Sequence, residues 1–111
     1  MTVARADVGA HAVVRVSGEV DAMTAPRLAA AVTAALDGER PVVVDLTSVT
    51  FLDSAGLAAL VRVTERGERR GEPLRIVVDH NRPVLRPIQI TGLDDRLALY
   101  DSVEDAMARG A

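Results

Sequence analysis

Residues 42–60 read Val-Val-Val-Asp-Leu-Thr-Ser-Val-Thr-Phe-Leu-Asp-Ser-Ala-Gly-Leu-Ala-Ala-Leu, and this stretch decides the fold. The apolar run 42–46 predicts a buried strand, and the polar residues after it predict a short connecting segment that passes over the edge of the sheet. From Asp53 onward the apolar residues recur at helical spacing. The hydroxyl of Ser54 is therefore expected at the start of a helix, beside the carboxyl end of a strand.

A helix start favours negative charge, because its first backbone N–H groups lack partners and the helix dipole is positive there. A phosphate group on Ser54 would be well accommodated at such a place. This favours a switch serine over a catalytic centre. The competing interpretation is that Ser54 only caps the helix, which is the usual role of a serine in this position.

The composition fits one domain with an aliphatic core. The chain has 111 residues, 49 % of them hydrophobic, with one Phe and one Tyr. A net charge of -3 gives no general attraction to nucleic acid or to anionic membranes. No apolar run reaches the roughly 18 residues of a membrane span, and residues 1–7 lack the apolar region of a secretory signal. We expect a cytoplasmic protein.

The residue inventory argues against an enzyme. Without cysteine there is no thiol catalysis, and without lysine there is no Schiff base or P-loop lysine. His11 and His80 have no partner at metal-ligand spacing, so no metal site is predicted. No glycine stands two residues before Ser54, which speaks against a hydrolase. No glycine-rich phosphate motif occurs either, so no cofactor is predicted.

Asp45 offers a second candidate for phosphate chemistry. It follows the Val-Val-Val run and in that respect resembles the phosphoacceptor of a receiver domain. The lysine and the acidic pair of that site are missing from the sequence. Asp45 is therefore predicted to be a strand-end carboxylate that accepts hydrogen bonds from loop N–H groups.

The periodicity predicts the element order β-β-α-β-α-β-α-β-α. Short links between strands and helices require parallel neighbours, whereas the first two strands form an antiparallel hairpin, so the sheet is mixed. Thr24 or Ala25 is expected to cap the first helix, and Pro87 is expected to kink or restart the third. The predicted strands are 3–8, 11–16, 42–46, 74–78 and 97–100, and the predicted helices are 25–36, 55–66, 83–90 and 103–107.

Three separated stretches resemble the STAS family, and in particular its single-domain bacterial anti-sigma factor antagonists. They are 17–25, which contains Ser-Gly-Glu-Val-Asp; 43–57, which contains Asp-Ser-Ala-Gly-Leu; and 91–100, which begins Thr-Gly-Leu-Asp. The similarity covers nearly the whole chain, so a single STAS domain over residues 1–111 is expected. The resemblance implies an α/β fold in which about four helices lie mainly on one face of the mixed sheet.

The resemblance also implies partner switching. The unphosphorylated protein would bind an anti-sigma factor that is also a serine kinase, and would so release a sigma factor. The kinase would phosphorylate Ser54, and a serine phosphatase would reverse the reaction. The partner-binding residues implied by the match are Asp21, Thr24, Asp53, Ser54, Ala55, Gly56 and Leu57.

Two questions stay open at this stage. Gly56 stands where alanine would be the better helix former by about 1 kcal/mol, so a backbone must come close to it. That backbone belongs either to the partner or to the chain's own segment around Asp21. The alternatives for the whole protein are a non-phosphorylated STAS subunit of a stress-sensing or lipid-transport assembly, and a small nucleotide-binding protein.

Overall fold

The computed structural model describes residues 1–108, and the element order in this part is the predicted one. A single 3-10 turn, Leu93–Asp95, follows the third helix. The strands are β1 (Thr2–Val8), β2 (His11–Val20), β3 (Val42–Leu52), β4 (Arg75–Val77) and β5 (Ala98–Tyr100). The helices are α1 (Ala25–Leu36), α2 (Ser54–Arg69), α3 (Arg82–Ile90) and α4 (Val103–Ala108).

The five strands form one mixed sheet in the order β1-β2-β3-β4-β5. β1 is antiparallel to β2, and every later pair is parallel, which confirms the predicted sheet. The main core lies between one face of the sheet and α1, α2 and α3. On the other face, Ala106 of α4 packs on Val13, Val43 and Val77. The helices therefore lie mainly on one face, as expected.

β2 and β3 are longer than the sequence predicted. The polar stretch 47–50 continues β3 instead of crossing over the sheet, because Val49 and Leu52 are buried within it and hold it to the core. β2 likewise runs on to Val20, which pairs with Leu52. β4 pairs only with residues 43–45 of β3, so the second half of β3 extends beyond it.

The free edge of this extension is closed by a side chain. The amide of Asn81 donates to the carbonyl oxygens of Leu46 (2.9 Å) and Val49 (2.8 Å). These carbonyls would otherwise lack a strand partner, and unpaired backbone groups are costly when buried. Asn81 also directly precedes α3, so the same contact fixes that helix beside β3.

Of the kink or restart expected at Pro87, the restart is wrong, since the helix runs without interruption from Arg82 to Ile90. Pro87 removes the N–H that would bond the carbonyl of Pro83, but Pro83 is exposed. Val84 and Ile88 are fully buried on the other side of the helix and hold it against the core. The missing bond thus lies on the exposed side of α3, while the buried side holds the helix in place.

Candidate functional site

The start of α2 is capped by Asp53 and not by Ser54. The carboxylate of Asp53 accepts a hydrogen bond of 3.0 Å from the N–H of Gly56. Ser54 is the first helical residue, and its side chain is exposed. The interpretation of Ser54 as a capping serine is therefore wrong, because the residue before it already fills that role. The hydroxyl remains directed to the surface.

The first turn of α2 leaves backbone donors available beside that hydroxyl. The first four N–H groups of a helix, here those of residues 53–56, lack intrahelical partners. Asp53 donates its own N–H to the carbonyl of Val20 (3.2 Å), and Gly56 donates to the Asp53 carboxylate. The N–H groups of Ser54 and Ala55 remain. They lie at the positive end of a 16-residue helix, a favourable environment for an anion.

A second acidic turn joins β2 to α1. The carboxylate of Asp21 accepts hydrogen bonds from the N–H groups of Met23 (2.9 Å) and Thr24 (3.1 Å). The backbone bond from Thr24 is the largest cause that lowers the pKa of Asp21 below its ordinary value, and it outweighs the opposing effect of partial burial. Asp21 is therefore a fixed negative charge at neutral pH.

Thr24 stands at the N-cap position of α1, but its side chain does not cap that helix. Its hydroxyl accepts from the N–H of Asp21 (2.9 Å) and lies 3.1 Å from both an Asp21 carboxylate oxygen and the Glu19 carbonyl. The expected capping bond is thus replaced by bonds that close the Asp21 turn. Thr24 holds Asp21 in place.

The two segments meet through Val20. Besides the bond from Asp53, Val20 lies against Gly56. A Cβ added to Gly56 would come within 2.5 Å of Leu52 Cδ1 and 3.0 Å of Val20 Cγ1. The close approach at Gly56 is therefore, at least in part, one within the chain. A contact between Gly56 and a partner stays a prediction.

The predicted site residues differ in accessibility. Ser54 is exposed, whereas Asp21, Thr24, Asp53 and Ala55 are half-buried. Leu57 is only 8 % exposed and packs in the core, so any part it has in binding is indirect.

Sequence reasoning passed over Met23, whose side chain is 86 % exposed in the Asp21 turn. The available signal was a large apolar side chain in the short turn between a strand and a helix. A large exposed apolar side chain beside the Asp21 carboxylate adds apolar area to this part of the surface.

The remaining candidates for chemistry have ordinary partners. Asp45 lies inside β3, not at its end as predicted. It accepts from the N–H (3.0 Å) and hydroxyl (2.7 Å) of Thr47 and lies 3.5 Å from Arg15. His11 contacts Arg75 at 3.2 Å. Within residues 1–108, no group of three or more His, Asp or Glu side chains is placed to hold a metal.

No helix in the same range is long and apolar enough to cross a membrane.

Comparison with known proteins gives a consistent result. The family description "Mlab, STAS domain" matches residues 3–101. The anti-sigma-F factor antagonist RsfB of Mycobacterium tuberculosis is 34 % identical over 109 residues, which cover 96 % of this chain and 87 % of RsfB. The anti-sigma-B factor antagonist of Staphylococcus aureus is 33 % identical over 92 residues, covering 82 % and 84 % of the two chains.

The structural comparison agrees. The crystal structure of an anti-sigma factor antagonist from Mycobacterium paratuberculosis superposes with a TM-score of 0.87 at 36 % identity, covering 98 % of this chain and 92 % of that one.

Proposed function

This chain belongs to the STAS domain family, and we propose that it is an anti-sigma factor antagonist. In its unphosphorylated form it binds an anti-sigma factor that is also a serine kinase, and it thereby releases a sigma factor. Phosphorylation of Ser54 by that kinase ends the interaction, and a serine phosphatase restores it. The names of the relatives support the class of partner. The phosphorylation cycle is our extension.

One observation carries the proposal. Ser54 is exposed at the start of α2, and the hydrogen bond that caps the helix is made by Asp53 instead. A serine that only served the fold would make the capping bond itself. Here the hydroxyl is presented outward, next to two N–H groups that lack intrahelical partners. This is the arrangement expected of a residue that is modified by another protein.

Electrostatics explain how a phosphate could switch binding without unfolding the chain. A phosphate adds roughly -1.5 to -2 charges. The helix dipole stabilises that charge by about 1 kcal/mol, and Asp53 and Asp21 oppose it by a similar amount. A partner docked over Ser54 would instead have to desolvate the phosphate, at a cost of several kcal/mol unless it is paired. The switch therefore acts at the interface.

In this role the chain acts as one domain over residues 1–111 and needs no catalytic residue, cofactor or nucleic-acid contact of its own. Catalysis of phosphorylation and dephosphorylation belongs to its partners. Because sigma factors work on RNA polymerase, the place of action is the cytoplasm. The remaining members of the binding surface are Asp21, Thr24, Asp53 and Ala55, and the buried Gly56 and Leu57 support them from within the fold.

The test uses the anti-sigma factor kinases encoded in the same genome, each purified and incubated with this chain, ATP and Mg²⁺. Intact-mass analysis should show one added phosphoryl group with the cognate kinase. Ser54→Ala should abolish the addition and leave binding intact, since it removes only the acceptor hydroxyl. Ser48→Ala, at an exposed serine of β3, is the matched control and should be phosphorylated normally.

Other outcomes distinguish the alternatives. Phosphate mapped to Ser48 or Ser102 contradicts the assignment of Ser54. Stable binding to a partner protein without phosphorylation indicates a non-phosphorylated STAS subunit of a larger assembly. Retention of ATP by the chain alone, without a kinase, indicates a nucleotide-binding protein.

A further inference from the structure

An open groove of about 420 Å³ lies between the end of β3 and α3. We name it the β3–α3 groove. Its apolar lining comes from Phe51, Pro83, Pro87 and Ile90, and its charged lining comes from Arg82 and Arg86.

The groove exposes apolar side chains that a folded chain would normally cover. Phe51, the chain's one phenylalanine, is 46 % exposed, and Ile90 is 72 % exposed. Isolated exposed apolar residues are common, but a cluster of them within one open groove is a candidate docking surface. The prolines stiffen its helical wall, so little conformational entropy is lost when a ligand packs on them.

The shape of the fold creates this groove. β4 ends level with Asp45, and Asn81 occupies the carbonyls of Leu46 and Val49. Beyond that point, residues 50–52 have α3 beside them instead of another strand. A segment of another protein can therefore lie along the end of β3 without displacing any part of this chain.

The charge of the groove restricts what can bind. Its lining contains two arginines and no acidic residue, although the whole chain carries a net charge of -3. Within residues 1–108, Arg82 and Arg86 take part in no ion pair, whereas Arg66, Arg70 and Arg96 each pair with a carboxylate. A ligand that combines carboxylates with apolar side chains would satisfy both parts of the lining.

We propose that the β3–α3 groove binds an acidic segment of the anti-sigma factor, with apolar side chains of that segment packed on Phe51 and Ile90. The proposal rests on the function proposed above. The groove lies near the proposed phosphorylation site, because its lining residue Leu52 stands two residues before Ser54 in the chain. A partner seated in the groove would thus have Ser54 within the same contact surface.

The test compares single variants by calorimetric titration with the kinase that phosphorylates the wild type. Arg86→Glu and Ile90→Ser should each weaken binding about tenfold, or 1.4 kcal/mol. Arg69→Glu is the matched control, an exposed helical arginine at the far end of α2, and should bind within twofold of the wild type. Arg86 and Ile90 are exposed, so their variants should melt near the wild type, whereas Arg69→Glu adds a negative charge at the carboxyl end of α2 and should melt slightly lower.

Added salt provides a second readout. Raising the ionic strength should weaken the wild type more than Arg86→Glu, because the variant has already lost the screened attraction. A purely structural role of Arg86 would leave the two salt dependences parallel.

Each contrary outcome points to a different error. If no anti-sigma factor kinase binds the wild type, both proposals fail. If the wild type binds and is phosphorylated on Ser54 while both groove variants bind equally well, only the groove assignment is overturned. Loss of affinity in Ile90→Ser alone overturns the acidic character of the ligand. A wild-type dimer in sedimentation that Ile90→Ser dissociates identifies the groove as a contact between two copies of this chain.

Discussion

The two ends of α2 differ in how completely other groups of the chain pair with their hydrogen-bonding and charged groups. At the last turn, Arg66 donates to Asp37 at 2.8 Å and Arg70 does so at 3.3 Å. The chain then folds back, and the N–H of Glu72 bonds the carbonyl of Gly67 at 2.9 Å. At the first turn, a single carboxylate, that of Asp53, is the cap. Two N–H groups and the exposed hydroxyl of Ser54 are left over.

The contrast separates stability from function within one helix. The bond from Arg66 is the largest cause that lowers the pKa of Asp37, so the last turn is held by charges of the chain itself. The first turn offers its unsatisfied donors and its hydroxyl to another molecule. Loss of the contacts that close the last turn should therefore lower the stability of the fold, whereas a negative charge added at the first turn should lower binding.

Gly67→Ala should have the largest effect on stability. An added Cβ would lie 2.8 Å from the carbonyl oxygen of Glu72 and 3.3 Å from the N–H nitrogen of Leu74. Both neighbours are backbone atoms, so the returning chain must shift, at a cost of about 1–3 kcal/mol. Urea unfolding should show a lower midpoint. A midpoint equal to that of the wild type would mean that the last turn is less tightly closed than its contacts indicate.

Gly56→Ala should cost less stability than Gly67→Ala. The added Cβ meets side-chain methyl groups of Leu52 and Val20 at 2.5 and 3.0 Å, and the nearest backbone atom, the Val20 oxygen, lies at 3.3 Å, so the closest contact is one that a side-chain adjustment can relieve. Both variants gain about 1 kcal/mol of helix propensity, so the difference between them comes from these contacts. If the folded variant binds the kinase as tightly as the wild type does, Gly56 serves packing alone. A loss of affinity greater than the loss of stability supports its place in the binding surface.

Low pH should produce the smallest of the predicted changes in stability, through the two carboxylates with lowered pKa values. Asp21 and Asp37 both have pKa values below the ordinary one, so the unfolded chain binds protons before the folded chain does as the pH falls. Their contribution to stability is complete at neutral pH and is lost as the pH drops below about 4. Asp37→Asn and Asp21→Asn should each flatten this loss in a pH series of melting temperatures. An unchanged acid slope in both variants would contradict the assigned hydrogen bonds.

The sequence was sufficient for the element order and the mixed sheet, because apolar residues in 11–16, 42–46 and 57–64 follow strand and helix periods. It was insufficient for the length of β3. Residues 47–50 are mostly polar and look like a loop, and they stay in the sheet only because Val49 and Leu52 are buried. That constraint comes from packing against distant elements, which local patterns do not contain.

The candidate site was likewise predicted only in part from the sequence. The motif 53–57 located the helix start, but Asp53 and Ser54 are both good caps, and their order along the chain decides which one serves. The β3–α3 groove could not be predicted from the sequence, because it depends on the early end of β4 and on the contact of Asn81 with the edge of β3. Pro87 suggested a break, yet buried Val84 and Ile88 keep α3 continuous.

Ser54→Glu tests the central claim most directly, with affinity for the cognate kinase and melting temperature measured on the same sample. The account predicts binding weakened at least tenfold, about 1.4 kcal/mol, with little change in melting temperature, because an acidic side chain suits a helix start. Ser48→Glu, an equal charge change on β3, should retain affinity. Wild-type affinity in Ser54→Glu, or a parallel fall of affinity and stability, would contradict an electrostatic switch at the start of α2.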